Sequence, residues 1–341
     1  MSTTRAVVGD RSIAVRAVLR KVLEETGEIS VIGEADDGRE IVDLTARHHP
    51  DVVVLDLDLP SLAGRELVDA LCARRRVPLF VITPKQHRDR VREAIGAHGV
   101  GVVAVFPKPE HPDEWTELGK TLREAVAPLA GDAADGTDPL DEPDDTPVVG
   151  RNLGYVAIGG SAGGPGAIFE LLRALGPTPK VGVAVVQHIA AGFEEIFAEW
   201  LSAELQMDVA VARDGEGLCA GRVRIAPTGS HLILDPGGTL RFDGIGDPVN
   251  GHRPAVDRLF RSLLEHRAER VAAVLLSGMG SDGAEAMAEL RRVNVLTIAQ
   301  SRRSCAIFGM PRAAIERRGV VFTLAPEKIG RFLAGAGRDV L

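Results

Sequence analysis

A serine in a glycine-rich turn is the first residue whose surroundings suggest chemistry. Ser161 lies in residues 156–168, VAIGGSAGGPGAI, within the pattern G-x-S-x-G. An apolar strand that runs through such a turn into a helix can expose a nucleophilic serine, but similar turns also cradle phosphates. The dinucleotide fingerprint G-x-G-x-x-G does not fit, because Ser161 and Ala162 stand where its second glycine belongs. The pattern alone is equally consistent with a plain turn, so the partners of Ser161 must decide.

Two candidate partners follow other apolar strands. A serine hydroxyl needs a base to attack at neutral pH, and usually an acid that orients the base. His188 ends the next strand, and Asp282 follows a later one in AVLLSGMGSDGAEAM. Because parallel strands end at one edge of a sheet, we expect Ser161, His188 and Asp282 to meet. Their order along the chain differs from that of the α/β-hydrolases, so the chain is not expected to belong to that superfamily. A catalytic triad is still possible, because a triad is defined by geometry and not by sequence order.

Further residues are predicted to lie around this cleft. Backbone amides at Met279 and Ala162 are candidate donors to an oxyanion, each of which contributes about 10²- to 10³-fold to such a reaction. His252, in GHRPAVDRLFRSL, is expected to form a cleft wall and to have a positioning role. Asp257 lies one helical turn after Arg253, and a local ion pair is the simplest expectation for it.

A second group of reactive side chains occurs in the first third of the chain. Asp10 follows the first apolar run, Asp56 ends the third, Thr83 ends the fourth and Lys108 follows the fifth. At one crevice, such a set can bind Mg²⁺ through Asp10 and Asp56 and can carry an aspartyl phosphate. The constellation resembles the response-regulator receiver domain over residues 5 to 126. That resemblance implies that Asp56 is the phospho-acceptor, Thr83 the switch hydroxyl and Lys108 the counter-ion.

Arg11 departs from the receiver pattern. Receivers usually carry two consecutive acids after the first strand, and an alignment without gaps through Ser12 and Arg16 puts Asp10 and Arg11 on that pair. A guanidinium in place of a Mg²⁺ ligand weakens the metal site, and it can also pair with Asp56. We expect phosphorylation of Asp56 to be impaired or absent. If Arg11 instead points to solvent, some phosphorylation is retained.

The elements that must position both groups form two α/β domains. Apolar runs alternate with helical patterns, which is typical of doubly wound parallel sheets. Residues 128–150 are rich in Asp, Gly, Pro and Thr and contain no Lys or Arg. They are predicted to form a flexible acidic linker between a receiver-like domain, 1–127, and a catalytic domain, 151–341. Predicted strands are 6–8, 29–32, 52–55, 79–82 and 102–105, then 155–158, 182–186, 222–226, 272–276 and 295–298, with a hairpin in HLILDPGGTLRFDG.

Composition narrows the functional class. The 341 residues carry a net charge of −8 without a long basic block, which argues against nucleic acid or an anionic membrane as the main partner. The three cysteines are far apart and form no metal-ligand pattern, so no cofactor is expected for catalysis. No signal sequence or stretch of about 20 apolar residues occurs, so we expect a cytoplasmic protein with no membrane insertion.

Six blocks of the second domain carry a family resemblance: AIGGSAGG, QHIAAGFEEIFAEWL, RIAPTGSHLIL, HRPAVDRLFRSL, LLSGMGSDGAEAM and TIAQSRRSCAIFGMPRAAIE. They resemble, in order, the chemotaxis protein-glutamate methylesterases of the CheB family over residues 155 to 331. The resemblance implies a parallel α/β sandwich in which Ser161 is the nucleophile, His188 the general base and Asp282 the acid that orients it.

The same resemblance implies a substrate and partners. The substrate is the γ-glutamyl methyl ester on the cytoplasmic helices of methylated chemoreceptors, and the products are methanol and a carboxylate. Some members also deamidate glutamine at such sites. The receiver is expected to cover the active site until a chemotaxis histidine kinase phosphorylates it.

Two departures leave a second function open. Ala162 replaces a threonine common in the family's serine loop, and QHIAAGF lacks the usual proline pair. The alternative is a non-chemotaxis signalling or scaffolding protein whose degenerate receiver acts through protein binding. The intact Ser, His and Asp favour the methylesterase, whereas Arg11 lends weight to the alternative.

Overall fold

The computed structural model describes residues 3–73, 77–84, 86–96, 101–126, 153–243 and 247–336. The chain divides into two compact units between residues 136 and 137. The predicted linker, residues 128–150, lies outside the described residues. Among the described helices, none has the length and apolar character needed to cross a bilayer.

The first unit is a five-stranded parallel sheet in the order β2-β1-β3-β4-β5. Its central strands are continuous apolar runs that are wholly buried, as expected when helices cover both faces of a sheet. The strands are β1 (Thr4–Gly9), β2 (Ile29–Ala35), β3 (Val52–Leu55), β4 (Leu79–Thr83) and β5 (Val102–Pro107). The helices are α1 (Ile13–Glu24), α2 (Gly38–His48), α3 (Gly64–Cys72), α4 (Arg88–Gly96) and α5 (Pro112–Val126).

The second unit is a seven-stranded parallel sheet, in the order β14-β13-β12-β6-β7-β9-β8, with an antiparallel hairpin. Its strands are β6 (Tyr155–Gly160), β7 (Gly182–Gln187), β8 (Asp208–Val211), β9 (Arg222–Ile225), the hairpin strands β10 (His231–Leu234) and β11 (Leu240–Asp243), β12 (Val271–Leu275), β13 (Leu296–Gln300) and β14 (Phe322–Leu324). Its helices are α6 (Gly164–Leu175), α7 (Glu194–Leu205), α8 (Val256–Ser262), α9 (Ala284–Arg292), α10 (Gly309–Glu316) and α11 (Pro326–Ala336).

Two glycines shape the turns that follow the central strands of this sheet. Gly163 precedes α6 with φ +77°, and Gly283 precedes α9 with φ +84°. A Cβ at Gly163 would lie 2.5 Å from Ser277 Oγ, and one at Gly283 would lie 2.5 Å from Val256 Cγ1. Both positions therefore require glycine for backbone conformation and for space. The resulting sharp turns leave Ser161 and Asp282 at the carboxyl edge of the sheet.

The predicted fold class, with two doubly wound parallel sheets, is confirmed, and so is the hairpin. Strands β8 and β14 were not predicted from the sequence. They lie at the two edges of the larger sheet, contain four and three residues, and are partly solvent-facing. Such short edge strands carry too little apolar sequence to stand out from loops.

Candidate active site

Three adjacent strands bring the predicted triad to one edge of the sheet. Ser161 follows β6, His188 follows β7, and Asp282 lies between β12 and α9. His188 Nε2 lies 3.0 Å from Asp282 Oδ2. A Cβ at Gly278 would lie only 2.8 Å from Ser161 Cβ, so the serine packs directly against the loop that leads from β12 to Asp282. The three residues therefore share one site.

The second ring nitrogen of His188 is available for a proton. His188 Nδ1 is buried and has no hydrogen-bond partner among the described residues. When Nε2 carries the proton donated to Asp282, Nδ1 has a free lone pair, which is the form that a general base needs. No hydrogen bond joins Ser161 Oγ to His188 within the described chain. Such contacts are often long in free enzymes and shorten when substrate binds.

Asp282 is held as an ionised carboxylate by its surroundings. It is 2% exposed, and its oxygens accept hydrogen bonds from the amides of Val256 at 2.7 Å and Asp257 at 3.0 Å. Burial raises the pKa of Asp282, but the hydrogen bond and charge of His188, together with the two amides, bring that pKa below its ordinary value. Because the amides begin α8, the helix dipole adds to this stabilisation.

His252 forms one wall of the site. Its ring stacks on that of His188, with 3.8 Å between centroids and 13° between planes. Burial lowers the pKa of His252 to about 4, with a further contribution from the charge of His188, while Asp282 opposes the shift. At neutral pH the wall is therefore an uncharged ring.

The amides near Ser161 differ in their availability. The amide of Ser161 donates to Ser277 O at 3.0 Å and is therefore committed. The amides of Ala162 and Met279, which are the predicted oxyanion donors, have no protein acceptor within the described ranges. They can thus donate to a developing charge on a bound substrate.

Two buried residues support the nucleophile loop and were missed by the sequence analysis. Ser277 Oγ lies 2.8 Å from Ala162 O and accepts from the amide of Ile307 at 2.9 Å. Gln187 Nε2 donates to Ser161 O at 2.7 Å and to His188 O at 3.0 Å, which ties the backbones of nucleophile and base together. In the sequence, each is a polar residue at the end of an apolar run, where a buried group must find a partner.

Asp257 differs from its prediction. The expected ion pair with Arg253 is not formed between these two described residues. Asp257 is 1% exposed and accepts hydrogen bonds from Asn250 Nδ2 at 2.9 Å and from the amide of Ala286 at 3.0 Å. Burial raises its pKa, and the nearby charge of Asp282 adds to that shift.

The receiver pocket brings together all four residues predicted for it. Lys108 Nζ donates to Asp10 Oδ2 and, at 3.0 Å, to Asp56 Oδ2, and both acids are buried. Thr83 is fully buried, and its Oγ1 has no partner in the described chain. Burial lowers the pKa of Lys108, but its bonds to the two carboxylates outweigh this and raise the pKa above its ordinary value.

Arg11 points away from Asp56. Its side chain is 69% exposed, and Nη1 lies 4.0 Å from Asp58 Oδ2, so the second of the two expected arrangements is the one formed. Asp10 and Asp56 are both bonded to Lys108. The part of the chain that the structure describes holds no group of three His, Cys, Asp or Glu residues arranged to hold a metal ion. The ammonium of Lys108 occupies oxygens of both acids that Mg²⁺ would need for its octahedral set of oxygen ligands, so these residues as arranged fit Mg²⁺ poorly.

Known proteins match both units. The family model described as CheB methylesterase matches residues 156–333, and that of the response regulator receiver domain matches residues 6–118. A Geobacillus kaustophilus protein named protein-glutamate methylesterase/protein-glutamine glutaminase is 37% identical, with 96% of each chain covered. A Methanospirillum hungatei protein-glutamate methylesterase/protein-glutamine glutaminase 2 is 32% identical over 96% of this chain and 97% of its own.

A solved structure matches the second unit. The crystal structure of the Thermotoga maritima CheB methylesterase catalytic domain is 32% identical, with a TM-score of 0.51, and the match covers 53% of this chain and 97% of that one. The chain therefore belongs to the CheB methylesterase family and has an N-terminal response regulator receiver domain.

Proposed function

We propose that this chain hydrolyses γ-methyl esters of glutamate side chains on the cytoplasmic helices of methylated chemoreceptors. The observation that carries the proposal is the bond between His188 Nε2 and Asp282 Oδ2 beside Ser161, with His188 Nδ1 buried and unbonded among the described residues. The names of the relatives support the substrate class.

The geometry supports a two-step acyl transfer. Ser161 Oγ attacks the ester carbonyl and gives its proton to His188 Nδ1, while Asp282 stabilises the imidazolium through Nε2. The amides of Ala162 and Met279 donate to the oxyanion. The C–O bond to the methoxy group then breaks, and methanol leaves with the proton from His188. Water repeats the sequence on the acyl-enzyme and restores the glutamate carboxylate and the serine.

The same residues support deamidation. A glutamine side chain presents the same carbonyl, and His188 would protonate departing ammonia instead of methanol. The relatives carry the name of a protein-glutamine glutaminase as well as that of the esterase. The amide is chemically less reactive than the ester. The departure of ammonia therefore depends more strongly on the proton from His188 than the departure of methanol does.

The receiver supports regulation through Asp56. A histidine kinase is the proposed phosphate source, and the Asp56 carboxylate, Lys108 and Thr83 form the proposed acceptor site. The outward Arg11 does not pair with Asp56, but it adds positive charge where a metal ligand would help. We therefore propose slow phosphorylation. The complete Ser-His-Asp set favours this enzyme over a purely scaffolding role.

Methanol release tests the proposal. The full chain is incubated with a helical peptide that carries one glutamate γ-methyl ester, and methanol is measured for the wild type and Ser161→Ala. We expect release by the wild type and none above background by the variant. The matched control is Ser202→Ala, which removes a hydroxyl of α7 that donates to Met207 O. This variant should retain activity. Equal release by Ser161→Ala and the wild type would overturn the assignment.

A further inference from the structure

His252 is carried by a tight two-residue turn. Val249 and His252 exchange backbone hydrogen bonds of 3.1 and 2.9 Å, and the residues between them, Asn250 and Gly251, have φ values of +53° and +80°. Asn-Gly is the sequence preferred for such a turn, because both positions require positive φ. The turn therefore has a defined shape, and just beyond it Arg253 O accepts from the amide of Gly229 at 3.1 Å.

Asn250 anchors the turn itself to α8. Its Nδ2 donates to Asp257 Oδ2 at 2.9 Å, and the other oxygen of Asp257 accepts from the amide of Ala286 at 3.0 Å. Asp257 thus caps α9 from the first turn of α8. A buried carboxylate is costly unless it is bonded, and here one of its bonds goes to the turn that carries His252.

Asp282 makes the reciprocal contact. It precedes α9 but accepts the first amides of α8, those of Val256 and Asp257. Asp257, which lies in α8, therefore caps α9, and Asp282, which precedes α9, caps α8. The contacts close a ring: Asp282 bonds His188, His188 stacks on His252, and the turn bonds Asp257 through Asn250.

We propose that Asn250 and Asp257 are positioning residues that hold His252 against His188 and so fix the orientation of the catalytic imidazole. His188 is bonded to Asp282 through one nitrogen only, so its ring is free to rotate about that bond unless a face is covered. The stacked His252 ring covers one face. Fixing the ring fixes the position of Nδ1, which is the atom proposed to take the serine proton, and this inference rests on the proposed esterase reaction.

Asn250→Gly tests the anchor with little strain, because glycine tolerates positive φ. Using the full chain and the ester peptide, we expect kcat to fall about 3- to 10-fold, the size of coupling between contacting residues, with KM unchanged. Asn294→Gly is the matched control, since Asn294 is exposed and has φ +63° outside this ring of contacts. Asn250→Asp, which replaces the donor by an acceptor, should behave like Asn250→Gly.

A double-mutant cycle shows whether Asn250 acts through His252. His252→Ala should lower kcat, and adding Asn250→Gly to it should cause no further loss. His252→Phe should retain most of the activity, because a phenyl ring can stack as imidazole does. Additive losses in the double variant, or a loss in His252→Phe equal to that in His252→Ala, would overturn the proposal.

A spectroscopic readout separates this inference from the esterase assignment. The Cε1 proton of His188, assigned with His188→Gln, senses the ring current of the stacked His252. In Asn250→Gly its chemical shift should move towards its value in His252→Ala, while Asn294→Gly leaves it in place. An unchanged shift in Asn250→Gly refutes the inference. If the wild type does not hydrolyse the peptide, the proposed function fails while the spectrum still decides the role of Asn250.

Discussion

In the receiver unit, buried carboxylates are balanced by a fixed cation. Asp10 and Asp56 lie at the carboxyl ends of β1 and β3, and Lys108, after β5, bonds to both. The pKa of Lys108 is raised by these bonds, despite the lowering effect of burial, so the ammonium keeps its proton through the physiological range. Lys108 is thus a fixed positive charge between the two acids.

In the catalytic unit, a buried carboxylate at the same kind of sheet edge is balanced without a fixed cation. Asp282 accepts two backbone amides and the ring of His188, and its pKa is lowered because these bonds outweigh the raising effect of burial. Imidazole can accept a proton and release it again near neutral pH, which lysine cannot. The compensating group, rather than the topology, therefore suits one acid site to the proposed proton relay and the other to the proposed phosphate acceptor.

Removing the charge of Asp282 should have the largest effect. Asp282→Asn cannot stabilise an imidazolium and favours the wrong tautomer of His188, so we expect kcat on the ester peptide to fall about 10³- to 10⁴-fold. Asp235→Asn is the matched control, because Asp235 also accepts two backbone amides, those of Gly237 and Thr239, but in the hairpin turn. Comparable kcat values for Asp282→Asn and Asp235→Asn would break the comparison.

Acid should destabilise the catalytic unit through His252. Burial and the charge of His188 lower its pKa from 6.5 to about 4. As pH falls below about 6.5 the unfolded chain binds a proton that the folded chain does not, so stability is lost down to about pH 4. We expect the unfolding free energy to fall by about 2 kcal/mol from this residue between pH 7.5 and 4.5.

Urea unfolding followed by Trp200 fluorescence, in a Trp115→Phe background, measures this loss in the catalytic unit. His252→Phe should remove most of the difference between the two pH values. Lys108 contributes no such change in this window, because its raised pKa keeps its contribution present up to about pH 10.5. An equal pH difference in His252→Phe would show that other groups cause the loss.

Residues at strand ends were predictable, whereas their supporting contacts were not. Ser161, His188, Asp282 and the receiver acids each follow an apolar run, so their common edge follows from parallel topology. By contrast, Ser277 meets Ala162 across 115 positions, which no local pattern encodes.

One wrong prediction and one alternative left open also have physical causes. Helical spacing favoured a pair between Asp257 and Arg253, but burial gave Asp257 two uncharged donors instead. The direction of the Arg11 side chain depends on its rotamer and on the nearby carboxylate of Asp58. The spacing of residues in the sequence determines neither.

Placing an acid at position 11 should speed the phosphorylation of Asp56 in the receiver unit. Arg11→Asp replaces a cation by an anion beside the Asp56 pocket, so we expect Mg²⁺-dependent phosphorylation by acetyl phosphate to become about tenfold faster. Intact mass spectrometry measures the adduct, and Asp56→Asn in the same background should abolish it. Arg39→Asp, a charge reversal at an exposed position of α2, is the control. A wild-type rate equal to that of Arg11→Asp would show that Arg11 does not limit the reaction.

The smallest effect is expected for the amide that joins nucleophile and base. Gln187→Met keeps the approximate size of the side chain but removes the donor to Ser161 O and His188 O. Ser161 O still accepts from the amide of Gly164 at 2.8 Å, so only part of its support is lost. We expect kcat to fall about fivefold, the equivalent of one net hydrogen bond of about 1 kcal/mol.

The same variant distinguishes alignment from stability. Because Gln187 hydrogen-bonds to backbone oxygens of the two catalytic residues, the pH profile of kcat should keep its shape while its height falls. Gln206→Met, at the exposed end of α7, is the matched control and should leave kcat unchanged. If kcat of Gln187→Met equals that of the wild type, the two backbones are held by β6 and β7 alone. The contrast with the receiver pocket, where a side chain bridges two strand ends directly, would then become sharper.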